Sequence, residues 1–353
     1  MFTRSDLVIL GGAAAASLLA GVTRAVPSGS VVPFLASAGA VALLASVVGR
    51  SVEQLGDRFG PGATGALQSA LGNLPELFIA LFALRAGLVT VVQSALIGSI
   101  LANLLLVMGM AFVVGGLKHG PQNLDSRRAR EIAVLMVLSV GAMVVPSLAA
   151  HLHTPVEQHV DGLSMFVSVV LLLLFAVTLP GSLKRQSAEP QGPGGHAEPP
   201  RWPLWLAVTL LAAAAVGAAF VSDWFVIALT PAMDALHISE AFAGLVVVAI
   251  AGNAIENVVG VQLAAAGRSE YAFSVIIQSP LQIALVLAPL LVLASNVFGF
   301  AHLSLVFPPM LVAAVAIAVV MAVFITFDGE STWAEGATMV GLYAVVAASF
   351  WWG

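Results

Sequence analysis

Long apolar runs separated by short polar breaks set the pattern of this chain, and their length decides what the elements are. Crossing a bilayer as a helix takes about 20 apolar residues. Cutting the sequence at charged, Pro-rich or Gly-rich breaks predicts eleven such spans. In the first part they run Leu7 to Val22, Val31 to Val48, Thr64 to Ala86, Leu88 to Val114, Glu131 to Ala149 and Val160 to Leu179. After a hydrophilic stretch come Leu204 to Ile227, Glu240 to Ala266, Ala272 to Val292, Leu303 to Phe324 and Trp333 to Trp351. The first run has no small-residue cleavage site before the next begins at Val31, which predicts a retained helix rather than a signal peptide. The hydrophilic stretch, GSLKRQSAEPQGPGGHAEPPR from Gly181 to Arg201, is rich in Pro and Gly and predicts a disordered linker between two halves.

Composition then removes the soluble alternatives. A chain of 353 residues that is 60% hydrophobic and only 9% charged, with a mean hydropathy of +1.03, cannot cover a globule with polar surface. The class is therefore an all-α integral membrane protein. The net charge of −5 is spread thinly over the loops and offers no basic stripe for nucleic acid. Without cysteine there is no disulfide framework, thiol nucleophile, Cys-zinc site or iron–sulfur cluster.

The placement of the basic residues is an independent check on the spans, because cytoplasmic loops collect Lys and Arg. Arg4, Arg50, Arg58, Lys118, Arg127, Arg128, Arg130, Lys184, Arg185, Arg201 and Arg268 fall on one side of the predicted topology, and only Arg24 and Arg85 on the other. This predicts a cytoplasmic amino terminus and an outer carboxyl terminus.

At a fixed separation of 180 residues, LGNLPELFIALFALRAG (Leu71 to Gly87) aligns without a gap to AGNAIENVVGVQLAAAG (Ala251 to Gly267). Identical pairs include Gly72 with Gly252, Asn73 with Asn253, Glu76 with Glu256, Gly87 with Gly267, Ser94 with Ser274 and Ser99 with Ser279. Apolar matches arise by chance, but a shared Gly-Asn-x-x-Glu inside two apolar spans points to a repeat. The repeat unit holds five spans, an odd number, so the two copies are predicted to be inverted, an architecture of many secondary transporters. Residues 1–25 are then an extra helix, 31–180 the first five-helix repeat, 181–202 a flexible cytoplasmic linker and 203–353 the second repeat.

A carboxylate in the hydrocarbon layer costs several kcal/mol unless it is paired, protonated or hydrated, which makes Glu76 and Glu256 functional candidates. The Asn three positions earlier lies about one turn away on the same face. The Gly before it weakens the helix, and Pro75 removes a backbone donor beside Glu76, so a local break is expected to turn carbonyls toward a cavity. Carboxylates, carbonyls and amide oxygens together form a hard oxygen set that suits Ca²⁺ better than zinc or copper. The bland alternative is that each Glu hydrogen-bonds a neighbouring helix.

These residues carry a resemblance. GNLPELFIALFALRAGLVTVVQSALIGSILANLLLVMG is similar to the first signature repeat of cation/proton exchangers of the Ca²⁺/cation antiporter superfamily. ISEAFAGL (Ile238 to Leu245), GNAIEN and SPLQIALVLAP are similar to that family's second repeat. VEQLGDRFGP (Val52 to Pro61) resembles the stretch before the first repeat, with Glu53 at its acidic position. The resemblance implies an antiporter that exchanges Ca²⁺ or another divalent cation for H⁺ by alternating access, with Glu76 and Glu256 as central carboxylates holding metal when ionised and H⁺ when protonated. It implies that Asn73, Asn253, Ser99, Asn103, Ser279 and Gln282 line the site, although an intramembrane Ser or Asn also serves as interhelical glue. Glu53, Asp234 and Glu240 would lie toward the mouths of the pathway, or be solvated helix ends with no role. Ca²⁺ enters as the transported ion and no cofactor is implied. The location expected is the plasma (inner) membrane of a prokaryote.

Three positions depart from the family pattern. Asn257 stands where a His usually follows the second Glu. Gln278 stands where the first repeat has Gly98 before its Ser. Ala102 replaces a common Ser. These departures leave a Na⁺-coupled or K⁺-handling antiporter of the same fold as the alternative. A channel or a polytopic membrane enzyme is the remoter one, and the spans contain neither HExxH nor GxSxG. His151, His153, Glu157, His159 and Asp161 crowd one predicted outer loop, where a pH-sensing or metal patch is one reading and a solvated loop the simpler one.

Overall fold

The computed structural model describes residues 2–26, 28–59, 71–124, 126–188, 201–326 and 329–352. Helix dominates it. In chain order the helices are α1 (Arg4–Ala25), α2 (Val31–Phe59), α3 (Leu74–Arg85), α4 (Val89–His119), α5 (Ser126–His151), α6 (Val160–Ala188) and α7 (Leu204–Leu236). There follow α8 (Glu240–Gly252), α9 (Ala254–Ala265), α10 (Ser269–Phe298), α11 (Pro309–Thr326) and α12 (Trp333–Ser349). A two-residue ladder pairs β1 (Gln122–Asn123) antiparallel with β2 (Glu330–Ser331).

Among the described residues eight helices are long and apolar enough to cross a membrane, or nine if α8 and α9, bent by 61° at their break, are one span. That bend falls at Gly252 and Asn253, where the sequence predicts it. Of the two remaining predicted spans, the third lies partly outside the described residues, which resume at Leu71. The eleventh, α12, has 17 residues and reaches about 26 Å at 1.5 Å per residue, somewhat short of a hydrocarbon core of about 30 Å. Large apolar side chains such as Val8, Phe166, Val177 and Phe324 stand exposed, an arrangement suited to lipid rather than to water.

Two boundaries differ from expectation. The predicted linker is helical up to Ala188, because Ser182 to Ala188 carries no Pro or Gly to stop α6 before Pro190; residues 189–200 of it lie outside the described residues. The tenth span starts at Pro309 rather than Leu303. Residues 300–308 are non-helical, with Leu303, Leu305 and Phe307 buried in alternation. A non-helical segment inside an apolar protein needs partners for its backbone, and side chains supply them. The Leu305 and Phe307 N–H groups donate to Ser164 Oγ (3.1 Å) and Ser147 Oγ (2.9 Å). Ser147 donates back to Leu305 O (2.8 Å), Gln93 Nε2 to Val306 O (2.8 Å) and the His151 imidazole to Phe307 O (2.8 Å). The period-two pattern ending in Pro308-Pro309 was a strand-like signal within an otherwise helical hydropathy profile.

The chain divides into two compact units, Met1–Phe82 with Leu173–Leu236 and Ala83–Leu172 with His237–Gly353. In the first, α1, α2 and α7 pack together. Phe34 stacks on Phe225 with ring centroids 5.1 Å apart, and Arg50 bonds Asp6 at 3.0 Å. Gln54 Oε1 accepts the Arg201 and Trp202 N–H groups at 2.9 and 3.1 Å, seating the buried Trp202 ring beside Leu55 and Ala207. In the second unit, α4 crosses α8 and α12, and α9 packs on α4 and α10. A Cβ at Gly98 would lie 2.5 Å from Leu245 Cα, and one at Gly244 would lie 2.8 Å from Ser94 Cβ. Glycine is what lets α4 and α8 approach with backbones nearly in contact.

At the 180-residue offset read from the sequence, several local backbone features correspond. Shifting by 180 residues places α3 on α9, the left-handed Gly87 (φ 81°) on Gly267 (φ 74°), and the start of α4 on that of α10. The Leu88 N–H to Ala83 O bond becomes Arg268 N–H to Leu263 O, and the Leu77 N–H to Asn73 O bond becomes Asn257 N–H to Asn253 O. Even the widened turns correspond: α4 is π-helical over Ala102–Val107 and α10 over Ile283–Leu287.

Candidate functional site

The centre of the second unit is built where the broken span meets the two widened helices. Asn253 sits between α8 and α9 with φ −93° and ψ 21°, so its side chain is carried on a turn rather than in a continuous helix. It is fully buried, as is Asn103; Ser99, Ser279 and Gln282 are nearly so. Asn253 Nδ2 donates to Ser99 Oγ (2.9 Å) and Ala249 O (2.9 Å). Its Oδ1 accepts from Asn103 Nδ2 (2.8 Å) and Ser279 Oγ (2.9 Å). Asn103 Nδ2 spends its other hydrogen on Ser99 O (2.9 Å). Four of the predicted lining residues, Ser99, Asn103, Asn253 and Ser279, are thus one hydrogen-bonded cluster drawn from α4, α10 and the break before α9.

The direction of these bonds matters chemically. The amide N–H groups are consumed inside the cluster, while Asn103 Oδ1 is buried with no hydrogen-bond partner. A cluster whose donors are satisfied and whose spare capacity is a carbonyl oxygen is arranged to receive a donor or a hard cation. Widened π-type turns recur at functional sites, and here Asn103 lies within one and Gln282 caps another.

Glu76 lies in the first turn of α3, three residues after Asn73, and is buried at 7% exposure. Glu256 lies in the first turn of α9, and its side chain is outside the described residues. Glu53, Asp234 and Glu240 are all exposed, on α2, at the end of α7 and at the start of α8. Asn257 and Gln278 are half-buried, and Asn257 Oδ1 is buried without a hydrogen-bond partner.

The histidine-rich loop separates into local contacts. His153 meets Glu157 at 3.1 Å, His302 lies 3.9 Å from Asp161, and His151 serves the non-helical segment. Among the described residues no three His, Asp or Glu side chains gather as a metal site. Sequence reasoning missed Gln93, Ser147 and Ser164, the hydroxyl and amide groups that hold residues 303–307. Their signal was available, as polar residues inside apolar spans facing a segment that period two marks as extended.

A buried amide and hydroxyl cluster at a helix break within a multi-span helical protein points to a membrane protein that handles a polar or ionic substrate, the class of membrane transporters. The profile of the family described as sodium/calcium exchanger protein matches residues 29–183 and 206–352, and the chain belongs to that family. It is 33% identical over 333 residues to the Ca(2+)/H(+) antiporter of Aphanothece halophytica, covering 90% of this chain and 89% of that protein. It is 35% identical over 328 residues to the Ca(2+)/H(+) antiporter ChaA of Bacillus subtilis, covering 91% and 92%. The solved structure of native YfkE superposes with a TM-score of 0.83 at 31% identity, covering 97% of this chain and 99% of that one. The H+/Ca2+ exchanger CAX matches in fold with a TM-score of 0.79 at 18% identity, covering 99% and 93%. The resemblance read from the two signature repeats is thereby borne out.

Proposed function

We propose that this protein is a secondary antiporter that exchanges Ca²⁺ for H⁺. The observation that carries the reading is the donor-saturated cluster of Ser99, Asn103, Asn253 and Ser279 beside the second Gly-Asn-x-x-Glu segment, in a chain whose relatives are named Ca(2+)/H(+) antiporters. Glu76 and Glu256 are the carboxylates shared between metal and protons. One divalent ion and two protons compete for the same pair, so loading from one side displaces the other, and rocking of inverted repeats alternates access. Asn73 and Gln282 complete the oxygen lining. Glu53, Asp234 and Glu240 draw cations toward the mouths. The protein resides in the plasma membrane of a prokaryote with its amino terminus cytoplasmic, as the distribution of Lys and Arg supports.

The test is Ca²⁺ uptake into proteoliposomes of purified protein with an imposed pH gradient and an internal pH dye, with and without Na⁺. Uptake coupled to H⁺ efflux in the absence of Na⁺ supports the proposal. Uptake that requires a Na⁺ gradient replaces it by the Na⁺-coupled reading, with Asn257 and Gln278 as the marks of altered coupling.

A further inference from the structure

Asn257 stands outside the hydrogen-bonded cluster and has no role assigned by it. It lies four residues after Asn253 and three before Gly260, so these three share one stripe of α9. Both ends of that stripe meet the widened turn of α4. Asn253 Oδ1 accepts from Asn103 Nδ2 at 2.8 Å, and a Cβ on Gly260 would lie 3.6 Å from Val107 Cγ1. Asn257 is therefore carried on the α9 face that adjoins residues 103–107. There its Oδ1 is buried without a hydrogen-bond partner, as is the Oδ1 of Asn103.

A buried amide oxygen left unsatisfied is costly, and two of them along one helix pair call for a common explanation. The amide donors of the cluster are already used: Asn103 Nδ2 and Asn253 Nδ2 each have acceptors within it. What remains is a pair of carbonyl oxygens with no protein donor, one of which, on Asn257, is next in sequence to Glu256. A divalent hard cation takes about six to eight oxygens, more than two carboxylates supply. Asn257 is also where this chain departs from the histidine of the family pattern. A histidine would present a titratable nitrogen; the amide presents a neutral oxygen at every pH.

We propose that Asn257 is a cation-coordinating residue, its side-chain oxygen contributing with that of Asn103 to holding a divalent cation along the α9 face and so setting apparent Ca²⁺ affinity. This rests on the Ca²⁺ reading above and deepens it. The experiment compares wild type, Asn257→Leu and Asn257→Asp in proteoliposomes, recording KM and kcat for Ca²⁺ uptake together with equilibrium Ca²⁺ binding in detergent. Loss of one ligand oxygen to a charged partner is expected to raise KM and the dissociation constant about tenfold while kcat changes less than about twofold, the signature of lost uniform binding. The Asp variant is expected to bind Ca²⁺ more tightly than wild type. An unchanged KM in a folded Asn257→Leu protein overturns the inference, as it shows that water alone satisfies this oxygen. Should the Leu variant fail to fold, unchanged or weaker Ca²⁺ binding in Asn257→Asp overturns it equally. Absence of Ca²⁺ transport and binding in wild type removes the underlying function instead, and is read in its own arm.

Discussion

The stretches 73–107 and 253–287 share a backbone and differ in chemistry. Both begin at an Asn on a turn, run through a twelve-residue helix to a left-handed Gly, and re-enter a helix that widens into a π-helical turn. Yet Asn253 is fully buried with four hydrogen bonds, whereas Asn73 is half-buried. Asn103 corresponds to Ile283, and Gly98 to Gln278. Ser99 and Ser279 match each other, and both join the cluster on Asn253. A duplicated backbone needs only the same pattern of apolar residues, Gly and breaks. A binding site of defined charge and shape needs each ligand once, so the copies are free to divide the ligands between them.

The largest effects should come from the residues the copies still share. Replacing Glu76 or Glu256 by Gln is expected to reduce Ca²⁺ uptake in proteoliposomes to the protein-free background; retained exchange in either variant would refute a shared pair of carboxylates. Next in size is the asymmetry of the two asparagines. Asn253→Leu strands donors on Asn103 and Ser279 in a buried site, at a cost of about 2 kcal/mol. Thermal unfolding in detergent should show a clear loss for it and a smaller one for Asn73→Leu; equal losses would mean that the cluster contributes nothing of its own.

Gly98 and Gln278 sharpen the same contrast at the level of packing. A methyl at Gly98 enters the Leu245 backbone, and overpacking of this kind typically costs about 1 to 3 kcal/mol. Gln278→Gly, at the matching place, should shift the unfolding midpoint much less. The smallest effect is expected at the two left-handed glycines, whose backbone the copies share. Gly87→Ala and Gly267→Ala both force a side chain into left-handed backbone, at about 1 kcal/mol each, and the two shifts should be similar. A much larger loss at Gly267 would trace to the neighbouring His119 ring, 3.4 Å from the added methyl.

Most of the helical plan was legible in the sequence, since in lipid a run of about 20 apolar residues has few alternatives to a helix. The break at Gly252 and Asn253 was legible too, because Gly and a polar side chain in the middle of a span advertise it. The 180-residue offset predicted matching conformations down to individual turns. Residues 303–308 misled the same reasoning, since hydropathy measures how apolar a segment is and is blind to whether Ser147, Ser164, Gln93 and His151 stand ready to bond its backbone. Only the tertiary structure decided that pairing, and likewise which of Asn103's groups faces a partner and which is left open. Residues 103 and 253 meet through helix crossings set by Gly98, Gly244 and the widened turns, and the direction of a side-chain amide depends on every donor and acceptor around it. The sequence determined which polar residues enter the membrane; the fold determined that their donors face one another and left carbonyl oxygens over.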